Sequence, residues 1–136
     1  MRALLINPFY PIDETPSPPL GLAFLAAALE AAGIEVRILD YVVFPYHRDA
    51  LAEAIHAFSP ELIGATAVTM TVDHAMTVIR DAKAMAPKAV TVMGGPHVTF
   101  MARETLAACP ELDVVVRGEG EAVLTALAGA LFDRRR

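Results

Sequence analysis

Five short apolar runs alternate with five segments patterned for helices, and this alternation restricts the chain to very few folds. The runs fall at residues 2–7, 34–40, 62–66, 89–93 and 113–116. Between them, Leu22, Leu25 and Leu29 mark one face of a helix over 20–32, whose other face of alanine and phenylalanine predicts packing on both sides. Gly33 is its expected C-terminal cap. Leu51, Ile55 and Phe58 mark a helix over 48–58. Asp73 is the expected N-cap of a third helix carrying Ala75, Val78, Ile79, Ala82 and Met85. A fourth passes through Phe100 and Leu106, and a fifth starts near Glu121 with Leu124, Leu127 and Leu131 on one side. Apolar strands alternating with helices predict a parallel sheet covered on both faces. Right-handed crossovers then give an α/β, Rossmann-like (flavodoxin-like) doubly wound sheet of five strands in the order 2-1-3-4-5. One domain is expected over residues 1–132, with 133–136 a basic tail or linker stub.

Composition removes several function classes. The net charge of −5 lacks the basic face that a phosphate-backbone binder needs, so no nucleic-acid partner is expected. A single cysteine, Cys109, excludes an internal disulfide and a cysteine-rich metal site. The longest apolar stretch, 20–29, is shorter than a membrane span, and Met1-Arg2 leads directly into a strand, so a cytoplasmic setting without membrane contact is the expectation. Hydrophobic residues make up 55%, which predicts apolar surface that meets a ligand or another domain.

In an open parallel sheet, ligands sit beyond the carboxyl ends of the strands, beside the point where strand order reverses. Here that point lies between the first and third strands. The loop after the first strand begins at Asn7, carries Phe9 and Tyr10, and is broken by Pro8, Pro11, Pro16, Pro18 and Pro19 before Leu20-Gly21 opens the helix. The loop after the third strand offers the hydroxyls of Thr66, Thr69 and Thr71, which suit a polar ligand edge or the cap of the next helix. After the fourth strand, Gly94-Gly95-Pro96-His97 removes side chains where a flat ligand would meet backbone. A bulky residue at Gly95 is therefore expected to abolish binding and leave the fold intact. After the fifth, Gly118-Glu119-Gly120 presents one carboxylate at a helix start. There is no GxGxxG after the first strand and no triad, carboxylate pair or zinc pattern, so no residue is assigned as catalytic or as a metal ligand.

Asn7-Pro8, Pro18-Pro19-Leu20-Gly21-Leu22-Ala23-Phe24-Leu25-Ala26, Gly94-Gly95-Pro96-His97 and Arg117-Gly118-Glu119-Gly120-Glu121, in that order, resemble the N-terminal cobalamin-binding domain of radical S-adenosylmethionine enzymes. The similarity is to the subgroup with anaerobic magnesium-protoporphyrin cyclase and corrinoid methyltransferases, and it spans essentially the whole chain. It implies cobalamin as cofactor, a corrin ring on the strand ends, and a nucleotide tail along the 66–71 loop and the Gly94-Gly95 turn. It also implies a radical S-adenosylmethionine catalytic domain as partner, in the same or a separate chain.

Two departures refine that expectation. Cobalamin mutases and methionine synthase carry Asp-x-His-x-x-Gly after the first strand, whereas the first loop here has no histidine. Phe9, Tyr10 or water would then face the cobalt. The radical enzymes hold an iron–sulfur cluster with Cys-x-x-x-Cys-x-x-Cys, which a single Cys109 does not supply, so no catalysis is expected from this chain alone. The alternatives are a relative that docks on a partner without cobalamin, or a flavodoxin-like nucleotide binder. The second is disfavoured by a first loop without a phosphate cradle. A signalling receiver would need an acidic cluster and an aspartate where this chain has Asn7 and Thr66.

Overall fold

The structure, a computed structural model, describes residues 1–11 and 17–134. The first-loop positions Ile12, Asp13, Glu14, Thr15 and Pro16 and the tail residues Arg135 and Arg136 lie outside the described residues. In chain order the elements are β1 (Arg2–Asn7), α1 (Leu20–Ala31), β2 (Glu35–Asp40), α2 (Arg48–Phe58), β3 (Leu62–Thr66) and α3 (Val72–Met85). They continue with β4 (Val90–Gly94), α4 (Pro96–Phe100), α5 (Ala102–Ala108), β5 (Val114–Val115) and α6 (Glu121–Arg134). All strand pairs are parallel, in the order β2-β1-β3-β4-β5, as the alternation predicts.

Because side chains alternate along a strand, each central strand feeds two cores. Leu4, Ile6, Ile63, Ala65 and Met93 pack under α2 and α3, together with Val98 of α4. Ala3, Leu5, Leu62 and Val92 face the other way, under Leu22 and Leu29 of α1 and Leu124 and Ala128 of α6. On that second face the register aligns Leu5 with Gly64, Gly64 with Val92, and Val92 with Val114. The row is apolar throughout and has one missing side chain, at Gly64.

Helix α1 ends as expected. Gly33 takes φ +81° and donates to Glu30 O at 2.9 Å, while Ile34 N–H reaches Leu29 O at 3.1 Å. This pair of reversed bonds satisfies the last carbonyls, and a left-handed glycine permits it. Three local expectations are corrected. Helix α1 is not packed on both sides: Leu22 and Leu29 are buried, whereas Leu20 and Phe24 are 65% and 64% exposed. The N-cap of α3 is Thr71, and Asp73 lies inside the first turn, where its charge complements the helix dipole. The segment after β4 is two helices, broken where Met101 leaves helical geometry at φ −122° and ψ 36°.

Strand β5 is shorter than the run 113–116, and at its entry side-chain bonds join the backbone bond from Asp113 N–H to Thr91 O at 3.2 Å. Asp113 Oδ2 accepts from Thr91 N–H at 2.9 Å and from Lys83 Nζ at 2.7 Å, and Asp113 N–H donates to Thr91 Oγ1 at 3.0 Å. On the opposite flank, the Tyr46 hydroxyl and Arg48 Nε both donate to Asp81, tying the β2–α2 loop to α3.

Candidate functional site

The loops after β3 and β4 meet beside the point where the strand order reverses, and backbone bonds lock them. Ala67 N–H donates to Gly94 O at 2.9 Å, and His97 N–H donates to Ala67 O at 3.2 Å. Gly95 sits between these bonds at φ +104° and ψ 175°. A Cβ there would stand 2.6 Å from Ala67 O and 2.9 Å from both Ala67 N and Thr66 Oγ1. The lack of a side chain at Gly95 thus serves the contact between the two loops. The expectation that a bulky residue at Gly95 leaves the fold intact is corrected by this contact. Gly94 differs, since a Cβ there would meet only Val116 O, at an ordinary 3.7 Å.

Thr99, which the sequence pattern does not single out, holds a third rim segment. Its hydroxyl donates to Gly95 O at 3.0 Å and accepts from Gly118 N–H at 3.0 Å, and its carbonyl accepts from Arg117 Nε at 3.0 Å. One side chain of α4 therefore fixes the turn that leads to Glu119 and α6.

These loops surround a half-open, mainly apolar cavity of about 590 Å³ between α1 and α6. Of the residues expected at the site, Gly21, Thr66, Gly94, Gly95, Pro96, Gly118 and Glu119 line it. Its depth comes from residues that the sequence reading missed: Leu5, Gly64 and Val92 from the sheet, Leu22 and Leu25 from α1, and Leu124 from α6. The detectable signal was Gly64, because a glycine inside a buried strand marks close approach by something else. A shallower depression of about 310 Å³ adjoins it, lined by Asn7, Tyr10 and Thr71 and sharing Gly21 and Thr66.

Phe9, Leu20, Thr69 and His97 line neither depression. Phe9 meets His74 edge-on, with ring centroids 5.3 Å apart, and Leu20 is exposed. Thr69 Oγ1 lies 3.1 Å from His97 Nδ1, so these two pair with each other. The Thr71 hydroxyl is used within its own loop, accepting from Val68 N–H at 3.0 Å. Asn7 Nδ2 donates to Asp40 Oδ1 at 3.1 Å across the first two strand ends. Exposed Phe9, Phe44 and Met70 follow β1, β2 and β3, so the carboxyl edge is apolar beyond the cavity mouth.

Burial raises the Tyr41 phenol and the Cys109 thiol. It also raises Tyr46, helped by the hydrogen bond to Asp81, but none of the three lines either depression. Among the described residues, no group of three His, Cys, Asp or Glu side chains is placed to hold a metal ion. The arrangement suits binding of a bulky, partly apolar ligand, anchored by backbone and by the few polar groups at the mouth.

Comparison with known proteins points the same way. The profile of the family described as "B12 binding domain" matches residues 14–128. An uncharacterized methyltransferase of Pyrococcus horikoshii is 41% identical over 99% of this chain and 30% of its own length. The anaerobic magnesium-protoporphyrin IX monomethyl ester cyclase of Rubrivivax gelatinosus is 36% identical over 99% of this chain and 25% of its own. Among solved structures, the radical S-adenosylmethionine methyltransferase TsrM of Kitasatospora setae, with cobalamin and a [4Fe-4S] cluster bound, superposes with a TM-score of 0.87. It is 27% identical and covers 99% of this chain and 25% of that one. The chain thus spans between a quarter and a third of the length of these relatives.

Proposed function

The chain belongs to the B12-binding domain family, and on that premise we propose that it is a cobalamin-binding module serving a radical S-adenosylmethionine methyltransferase or cyclase. The observation that carries this reading is the side-chain-poor cavity at the carboxyl edge of the sheet. Its volume and half-open form fit an elongated arm attached to a larger planar group left outside. The residues present fit the cofactor. A Cβ at Gly64 would press into the cavity floor, 3.2 Å from Leu5 Cδ2, while one at Gly21 would meet nothing within 4 Å. In this proposal the nucleotide tail enters between α1 and α6, past Thr66, Gly94 and Glu119. The ring lies over the first-loop residues Asn7, Phe9 and Tyr10, with Thr69, Thr71, Pro96, His97, Gly118, Leu20 and Gly21 around it.

When bound, cobalamin supplies a cobalt centre able to carry an alkyl group. This chain's own contribution is to grip the tail, shield one face of the ring with apolar side chains and present the other to a partner. The apolar edge of Phe9, Phe44 and Met70 supports a radical S-adenosylmethionine domain as that partner, as does the chain's covering only part of each relative. Residues 1–132 form the binding unit in this reading. Among the described residues no helix is long and apolar enough to cross a membrane, and a cytoplasmic setting completes the proposal.

The test is direct. The protein is mixed with hydroxocobalamin, desalted, and its visible spectrum recorded. A retained corrin band is expected, and a colourless protein would leave only the docking alternative.

A further inference from the structure

Resting on the cobalamin reading, we infer that the cavity floor selects among corrinoids by their lower base, favouring an apolar aromatic base over a purine. Among the described residues, the polar side chains of the lining are Thr66, Glu119 and Glu121, at the mouth. The floor is built from Leu5, Gly64 and Val92, which are aligned neighbours in one row across the sheet. Both edges of β3 are paired at Gly64, to β1 and to β4, so the backbone there is committed to the ladder. Leu22, Leu25 and Leu124 close the sides.

Gly64 makes the floor accessible. Its neighbours in the row all carry apolar side chains, and Leu5 already leans toward the gap, with Cδ2 3.2 Å from where a Cβ would be. A base pushed down to this floor finds mostly carbon around it. The carbocyclic edge of a benzimidazole, or a plain phenyl ring, loses nothing by entering. Adenine brings an amino group and ring nitrogens that would give up water without a replacement partner, a penalty equivalent to about tenfold or more in affinity.

Dissociation constants of the full chain, measured by the change in corrin absorbance, test this with cobalamin, an adenine-based cobamide and cobinamide, which has no nucleotide. Cobalamin is expected to bind about tenfold or more tightly than the adenine compound, with cobinamide also weaker than cobalamin. Gly64→Val should bring cobalamin down to the cobinamide level, with the thermal melt recorded to confirm folding. Val92→Thr, nearly equal in shape, places a hydroxyl on the floor and should narrow the gap between the two bases, its cost in stability being read from the same thermal melt. Equal affinity for all three compounds would overturn the inference, as would an unchanged base preference in a folded Val92→Thr protein. Failure to bind any of the three would overturn the cobalamin reading itself, a result separate from loss of base preference.

Discussion

Gly95 is pressed against Ala67 so closely that a Cβ would lie 2.6 Å from the Ala67 carbonyl oxygen. The adjacent Gly94 has no such neighbour. The two glycines look equivalent in sequence and do different work. Gly95→Ala should lower stability by at least about 2 kcal/mol, because its backbone region is almost closed to other residues and the added carbon meets backbone. Gly94→Ala should stay within about 1 kcal/mol of the parent. Urea unfolding of the two variants gives the comparison. A Gly95→Ala protein as stable as the parent would mean that the loops are not packed as described.

Thr99 holds two rim segments with a single hydroxyl, donating to Gly95 O and accepting from Gly118 N–H. Thr99→Val keeps the shape and removes both bonds, at an expected cost of about 1–2 kcal/mol. The turn carrying Glu119 should loosen, and cobalamin retention after desalting should fall. Thr77 serves as the control: its hydroxyl bonds only to Asp73 O one turn back in the exposed part of α3. Thr77→Val should leave retention unchanged.

The layout of the sheet was legible because each apolar run is bounded by turn residues and each helix shows a clear apolar stripe. The rim was legible as a location, since Gly94-Gly95 and Gly118-Glu119-Gly120 follow strands. The roles of individual residues were not. Whether a glycine faces ligand or protein depends on packing between loops far apart in sequence, as with Gly95 and Ala67. The depth of the cavity depends on register, because Gly64 becomes a gap only once Leu5 and Val92 are aligned with it. Threonines that read as three equivalent hydroxyls are divided by the fold: Thr69 pairs with His97, Thr71 closes its own loop, and Thr66 alone lines the cavity.

Asp113 anchors the entry to β5, and its charge should be visible in the pH dependence of stability. Burial raises its carboxyl pKa, but the hydrogen bonds from Lys83 and from Thr91 outweigh this, so the net shift is downward. A carboxylate with a folded pKa below the unfolded value near about 3.9 stabilises the fold fully above that pH. The contribution is lost as pH falls through the folded pKa. Asp113→Asn should therefore cost about 1 kcal/mol at neutral pH, a modest figure because the group is partly exposed. The difference from the parent should shrink below about pH 4 and close further as the parent's carboxyl protonates. A gap of constant size from neutral to acid pH would show that charge plays no part.

The lower face of bound cobalamin offers a spectroscopic prediction that separates this rim from one built around a coordinating histidine. The first loop contains no histidine. Two histidines near the rim are both engaged: His97 Nδ1 lies 3.1 Å from Thr69 Oγ1, and the His74 ring stacks edge-on against Phe9. If the nucleotide tail enters the α1–α6 cavity as proposed, its base would also be drawn away from the ring. The protein loaded with cob(II)alamin should therefore give an electron paramagnetic resonance spectrum without splitting from an axial nitrogen. His74→Ala and His97→Ala should leave that spectrum unchanged, while Phe9→His, which restores an imidazole to the first loop beside His74, should introduce nitrogen splitting. Nitrogen splitting in the parent that disappears in His97→Ala would identify His97 as the axial ligand and rule out a lower face closed by Phe9, Tyr10 or water.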